Sequence, residues 1–166
     1  MSRLIALLFL LTPAALPAVD KTATIGLNVE VLPACQAGST SGSGVSFGTL
    51  DFGTHLRIDN LITRVGQPGA GALRVNCQQS IPYRVLINAG HSGSTNNRQM
   101  VGPSSAVLTY NLYTGADYAT VWDNSTGVSA VGNGQDQWLP IYARVPAQSA
   151  PPPGSYSDTL TVTVSW

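Results

Sequence analysis

Charge is scarce in this chain. Eight Lys and Arg and eight Asp and Glu make up 10% of its 166 residues, against about 25% in an ordinary soluble domain. The few charges form neither a basic patch nor an acidic run, which argues against nucleic acid and anionic membranes as partners. Histidine is scarcer still. His55 and His91 have no His, Cys or carboxylate at ligand spacing, so no metal site is expected. Gly90-His91-Ser92-Gly93 does not match a nucleophile elbow, and the chain lacks both a P-loop lysine and a dinucleotide fingerprint. The carboxylates Asp20, Glu30, Asp51, Asp59, Asp117, Asp123, Asp136 and Asp158 are scattered. A glycosidase pair can be drawn from any such set, so the set carries no information without geometry. Asp117, Asp123 and Asp136 fall in one loop-rich region but lack calcium-loop spacing. There are no internal repeats and no stretch with the pattern of a good amphipathic helix. Taken together, these absences predict no catalytic residue, no cofactor and no enzyme.

What is present points to export. Arg3, the apolar run Leu4 to Leu11, and the small residues through Ala18 read as a signal peptide over 1–18, cleaved near Ala18. The apolar run is too short to span a bilayer; an uncleaved N-terminal anchor is the other reading. Cleavage leaves seven basic residues against eight acidic ones. The two cysteines, Cys35 and Cys77, are an even count in an exported chain, which favours one disulfide over two free thiols. Such a bond closes a loop of about 43 residues, worth roughly 4 kcal/mol if it acts through chain entropy.

The dominant pattern is period-2 alternation, the mark of half-buried strands. It is clearest at the C-terminus, where Leu160, Val162, Val164 and Trp166 alternate with Thr159, Thr161, Thr163 and Ser165. Such a strand either lies deep in a sheet or leaves an apolar edge that needs a partner. Near the other end, Ala23, Ile25, Leu27, Val29 and Val31 alternate over 22–32, a span of roughly 36 Å. That is nearly twice a typical strand: either one long or bent first strand, or a segment serving two sheets. Strands are further predicted at 73–77, 83–88, 106–113 and 138–145, with a short bent one at 45–53. Pro140 argues for an edge or bulge. Residues 36–44, 89–105 and 115–135 read as loops, with Tyr118 and Trp122 pinning the last, and 54–71 reads as irregular or edge-like. The expected fold is all-β, an antiparallel sandwich of roughly six or seven strands.

Several motifs occur in a fixed order: Pro33-Ala-Cys35, Phe47-Gly-Thr-Leu-Asp-Phe-Gly53, Leu73-Arg-Val-Asn-Cys77, Pro82-Tyr83, Arg98-Gln-Met100, Leu108-Thr-Tyr-Asn-Leu-Tyr113, Trp122, and Gly154-x-Tyr156-x-Asp158-Thr-Leu-x-Val-Thr-Val164. This set resembles the spore coat protein U family, which includes subunits of archaic chaperone–usher pili. The resemblance implies an incomplete immunoglobulin-like sandwich lacking its last strand and completed by a donor strand. A periplasmic chaperone lends the strand first. At an outer-membrane usher it is exchanged for the N-terminal segment of a neighbouring pilus subunit. Here 19–28 would be the donor segment, presenting Ala23, Ile25 and Leu27, and 29–166 the sandwich. Leu160, Val162, Val164 and Trp166 would border the acceptor groove and face the chaperone. The disulfide would tie the end of the first strand to a later one.

The implied protein is a structural subunit, exported to the periplasm and polymerised as a cell-surface pilus. A spore or outer-coat role is the nearest alternative. A secreted carbohydrate-binding or adhesive module is another, because Tyr83, Tyr110, Tyr113, Trp122 and Trp138 could line a sugar platform, although such aromatics are more often core and loop anchors. A small secreted hydrolase is a third. Asn124-Ser-Thr126 fits a glycosylation acceptor pattern.

Overall fold

The computed structural model describes residues 25–32, 34–41 and 44–166. The chain divides into two units, Met1–Val31 and Leu32–Trp166. In the first, residues 25–31 carry no regular secondary structure, and Ile25, Leu27, Val29 and Val31 are exposed. Their alternation predicted a strand over 22–32. None forms from 25 to 32, because a strand exists only on a hydrogen-bonded ladder and no ladder is assigned to this stretch. The predicted signal peptide, and Ala23 of the predicted donor, lie outside the described residues.

The second unit is built of strands. In chain order they are β1 (Cys35–Ala37), β2 (Ser39–Ser41), β3 (Gly44–Ser46), β4 (Ile62–Val65), β5 (Leu73–Cys77), β6 (Pro82–Ile87), β7 (Arg98–Val101), β8 (Val107–Tyr113), β9 (Val128–Val131), β10 (Asp136–Leu139), β11 (Tyr142–Val145) and β12 (Val162–Ser165). They form sheets of order β1-β5-β10, β4-β11-β8-β7 and β12-β6-β9, with β2 and β3 as a small hairpin. Every strand pair is antiparallel. The result is an open all-β sandwich, as the alternation predicted.

Parity explains the core. Leu73, Val75 and Cys77 of β5, Tyr83, Val85 and Ile87 of β6, and Leu108, Tyr110 and Leu112 of β8 are all buried and belong to one cluster. Ile141, Ala143 and Val145 join them from the β11 side. Burying one Val, Leu or Ile fully is worth about 1.5–3 kcal/mol, so these rows outweigh any local propensity. Trp122 is buried in the same cluster and its indole N–H donates to the Val85 carbonyl at 3.0 Å. It pins the 115–127 loop as expected.

The structure differs from the expected strands in four places. The predicted strand 138–145 is two strands, β10 and β11, in different sheets. Pro140 supplies no N–H, so the ladder breaks there and the chain changes sheet. Residues 89–105 and 115–135 were expected to be loops but contain β7 and β9, both edge strands. The expected flexible loop 36–44 contributes to β1 and forms the β2–β3 hairpin, which takes up only the start of the predicted 45–53 strand. The final strand is shorter than its alternation, spanning Val162–Ser165. Residues 54–71 do contain an edge strand, β4.

Candidate functional site

The expected disulfide is present. Cys35 and Cys77 are register partners across β1 and β5, with Cα atoms 4.0 Å apart. The bond anchors β1 to the middle strand of its sheet and fixes the position of the edge that matters here.

Among the described residues, β1 and β12 each have a strand partner on one side only, β5 and β6 respectively. Directly paired residues share a sheet face. Ala37 is paired with Val75, while Val162 and Val164 are paired with Ile87 and Val85. Val75, Ile87 and Val85 are completely shielded from solvent, whereas Ala37, Val162 and Val164 are only half-buried. The inner strands therefore have full cover and the edge strands do not. Trp166 continues the β12 parity and is 58% exposed, and Leu160 on the same parity is half-buried.

Between these edges lies a cleft of about 810 Å³. One bank carries Ala37, Val45 and Phe47; the other carries Val162, Val164 and Trp166. A larger cavity of about 1190 Å³ shares Val45, Phe47 and Val162 with it and reaches core residues including Leu73, Leu108 and Ile141. An apolar seam thus runs from the two free edges into the core. Of the site residues predicted from sequence, the structure brings Leu160, Val162, Val164 and Trp166 to this seam. Ile25 and Leu27 are exposed in the other unit, 85% and 91% accessible.

The approach to β12 is held by polar contacts that alternation does not reveal. The Asp158 carboxylate accepts from the Tyr110 hydroxyl at 2.7 Å, the His91 amide at 3.0 Å and its neighbouring Thr159 amide at 2.8 Å. Burial, reinforced by the Asp158 hydrogen bond, pushes the Tyr110 phenol up. A Cβ on Gly90 would clash with the Asp158 carboxylate, and Gly90 has φ +63°, so this contact requires glycine. The Tyr156 hydroxyl donates to the Pro152 carbonyl. The sequence motif spanning Gly154 to Asp158 is therefore a clamp that aims β12 along the cleft.

A second support is Arg98, which is fully buried. Its guanidinium donates to the carbonyls of Ile87, Asn88, Thr95 and Trp122 and to Asn111 Oδ1. Burial lowers its pKa. These bonds tie the end of β6, the partner of β12, to the loops at 88–97 and 122. Sequence reading found Arg98 only as part of a motif and gave it no role.

The chemistry-bearing residues stay apart. His55 hydrogen-bonds the Phe52 carbonyl, and exposed His91 contributes its backbone amide to Asp158. Asp51 and Asp117 cap their own turns. Asp59 pairs with Arg57, and Asp136 with Arg74 and Asn76. Asp123 accepts from the amides of residues 125, 126 and 127, which hold its carboxyl below the usual range, the Gly127 bond most strongly. Among the described residues no three His, Cys, Asp or Glu cluster as metal ligands, and no helix is long and apolar enough to cross a membrane. Of the aromatics considered as a sugar platform, Tyr83, Tyr110 and Trp122 are core.

These features define a class: an open antiparallel sandwich with an apolar cleft between two strand edges that are unpaired among the described residues. A model of the Spore Coat Protein U domain matches residues 21–163. "Protein U" of Myxococcus xanthus is 32% identical over 162 residues, covering 90% of this chain and 88% of that protein. The chain belongs to the Spore Coat Protein U family. A solved chaperone–tip adhesion subunit pre-assembly complex, from the archaic chaperone-usher Csu pili of Acinetobacter baumannii, aligns with a TM-score of 0.47 at 20% identity. The alignment covers 82% of this chain and 40% of that one.

Proposed function

We propose that this protein is a structural, non-catalytic subunit of an exported surface pilus, assembled by completing its fold in trans. The observation that carries the reading is the seam: two strand edges, β1 and β12, face an apolar cleft that opens into the core. A strand laid between them would satisfy both edges and bury Val162, Val164 and Trp166, the mode called β-strand addition. The occupant we assign is the N-terminal segment 19–28 of a neighbouring copy or related subunit. Ile25 and Leu27 are exposed at alternate positions, as a donor strand requires. Before assembly a periplasmic chaperone supplies the strand, and an outer-membrane usher exchanges it. The signal peptide 1–18 directs export.

Deleting Val19 to Leu27 tests this. The shortened chain is expected to fold and accumulate as a soluble chaperone complex while forming no fibres, because its own cleft is intact and only its donor is gone. Fibres of normal length from the shortened chain would refute the assignment.

A further inference from the structure

The outer face of the β4-β11-β8-β7 sheet carries a cluster that the fold does not require. Tyr142 and Arg144 of β11 lie opposite Tyr113 and Asn111 of β8. They have the opposite parity to Ala143 and Val145, which face the core. The 114–121 loop folds over this face, secured by the Thr114 amide to the Thr120 carbonyl and by a bridge between Tyr113 and Val121. At its tip Tyr118 has φ +55°, in the left-handed region that a bulky residue rarely adopts. That conformation sets its ring over Arg144, with the guanidinium carbon 3.9 Å from the ring centroid. Tyr118 also meets Tyr113 edge-on at 5.4 Å and Tyr142 at 6.2 Å.

The polar ends of this cluster are left over. Tyr83, Tyr110 and Tyr156 each donate their hydroxyl to a protein acceptor. Among the described residues, no protein group hydrogen-bonds the hydroxyls of Tyr113, Tyr118 and Tyr142. Arg144 pairs with no carboxylate there, unlike Arg57 and Arg74, and its Nε is shut off from solvent without an acceptor. Asp117, in the same loop, spends an oxygen on the Ala119 amide. A stacked guanidinium keeps its planar fork of donors for a carboxylate, and cation–π stacking on Tyr118 holds it in place.

We propose that Tyr113, Tyr118, Tyr142 and Arg144 form a binding site for a carboxylated saccharide, a hexuronate or sialic acid residue. Arg144 takes the carboxylate through its terminal nitrogens, the tyrosine hydroxyls exchange hydrogen bonds with sugar hydroxyls, and the ring edges pack on the pyranose. The three hydroxyls favour a polyhydroxylated ligand over an acidic peptide. The site lies on the face of the sheet opposite the core, so filling the cleft leaves it open. It therefore stands or falls independently of the strand-exchange reading.

The test immobilises the exported full chain on a biosensor and titrates trigalacturonate, sialyllactose, neutral galactotriose and tetraglutamate. One of the acidic sugars is expected to bind about tenfold or more tightly than galactotriose, and Arg144→Gln to weaken it by a similar factor. Tyr118→Gly suits the positive φ, keeps the loop, and is expected to weaken binding as well. Tyr142→Phe removes a single hydroxyl and should cost severalfold while leaving the thermal midpoint unchanged. Overturning results are no binding of either acidic sugar at millimolar concentration, equal binding of galactotriose, indifference to Arg144→Gln, or tetraglutamate binding as tightly, which would assign the site to acidic peptides.

Discussion

Supplying the missing strand within one chain gives the most direct measure of what the open seam costs. The perturbation deletes residues 19–27, then adds after Trp166 a flexible linker and a copy of Asp20 to Val29. Ile25 and Leu27, 85% and 91% exposed in the free segment, would pass into the apolar cleft. Burying them contributes roughly 3–6 kcal/mol as an upper figure, supplemented by a backbone ladder on each side and by cover for Val162, Val164 and Trp166. Tethering raises the effective strand concentration toward the millimolar range, which limits the association cost. A domain of this size gains about 2–4 °C in melting midpoint per kcal/mol, so several kcal/mol raises the midpoint by roughly 10 °C. The assay is thermal unfolding by circular dichroism, paired with size-exclusion chromatography. The unmodified chain is expected to self-associate through its open edges, and the complemented chain to run as a monomer. A control carrying Ile25→Asp and Leu27→Asp in the appended copy should lose the gain, because a buried unpaired carboxylate is costly. The reasoning fails if the unmodified chain is already a stable monomer and the appended strand alters neither midpoint nor oligomeric state.

Two further outcomes follow from the supports of the site. Arg98→Met leaves the carbonyls of Ile87, Asn88 and Trp122 without their buried donor; the expected loss is about 3–5 kcal/mol in urea unfolding of the complemented chain, and a loss below 1 kcal/mol would contradict the hub role. Asp123 has a folded pKa depressed below 3.8 by backbone amides, Gly127 first. Its contribution is therefore complete above the unfolded pKa and disappears as pH falls through the folded value. Unfolding measured from pH 6 to pH 2 should show a stability loss beginning near pH 4 to 5, with a shallower slope in Asp123→Asn.

How much of this was legible beforehand depends on what each residue does for the fold. β5, β6 and β8 could be read from alternation because one side of each lies against the core, and Leu73, Val85 and Leu112 had to be apolar. β7 and β9 could not. Arg98-Gln-Met-Val101 and Val128-Ser-Ala-Val131 are short edge strands that take their conformation from the neighbour's ladder, so polar and small residues serve as well as apolar ones. The 138–145 run kept one parity through Leu139, Ile141, Ala143 and Val145, which hid the change of sheet; Pro140 was the only signal of it. Half of the seam was visible in the β12 alternation. The other bank was obscured because the Gly/Ser-rich 36–44 stretch looks like linker, although Ala37 is on β1 and Val45 is on β3 of the hairpin. Arg98 and Asp158 organise the site through backbone groups, and a sequence does not show which carbonyl an arginine will find.

The Cys35–Cys77 bond has a mechanical consequence. Tension applied to residues 25–32 enters the second unit within a few residues of Cys35 and passes at once, through a covalent link, to Cys77 in the central strand of its sheet. The 42-residue separation between the two cysteines lies outside that load path. Without the bond, unravelling the chain from β1 through β5 would release roughly 140 Å of slack at about 3.3 Å per residue. With it, the weak three-residue β1 ladder carries almost none of the pull, and the chain behaves as a short, inextensible link in which force is borne by the middle of the sheet rather than by its edge.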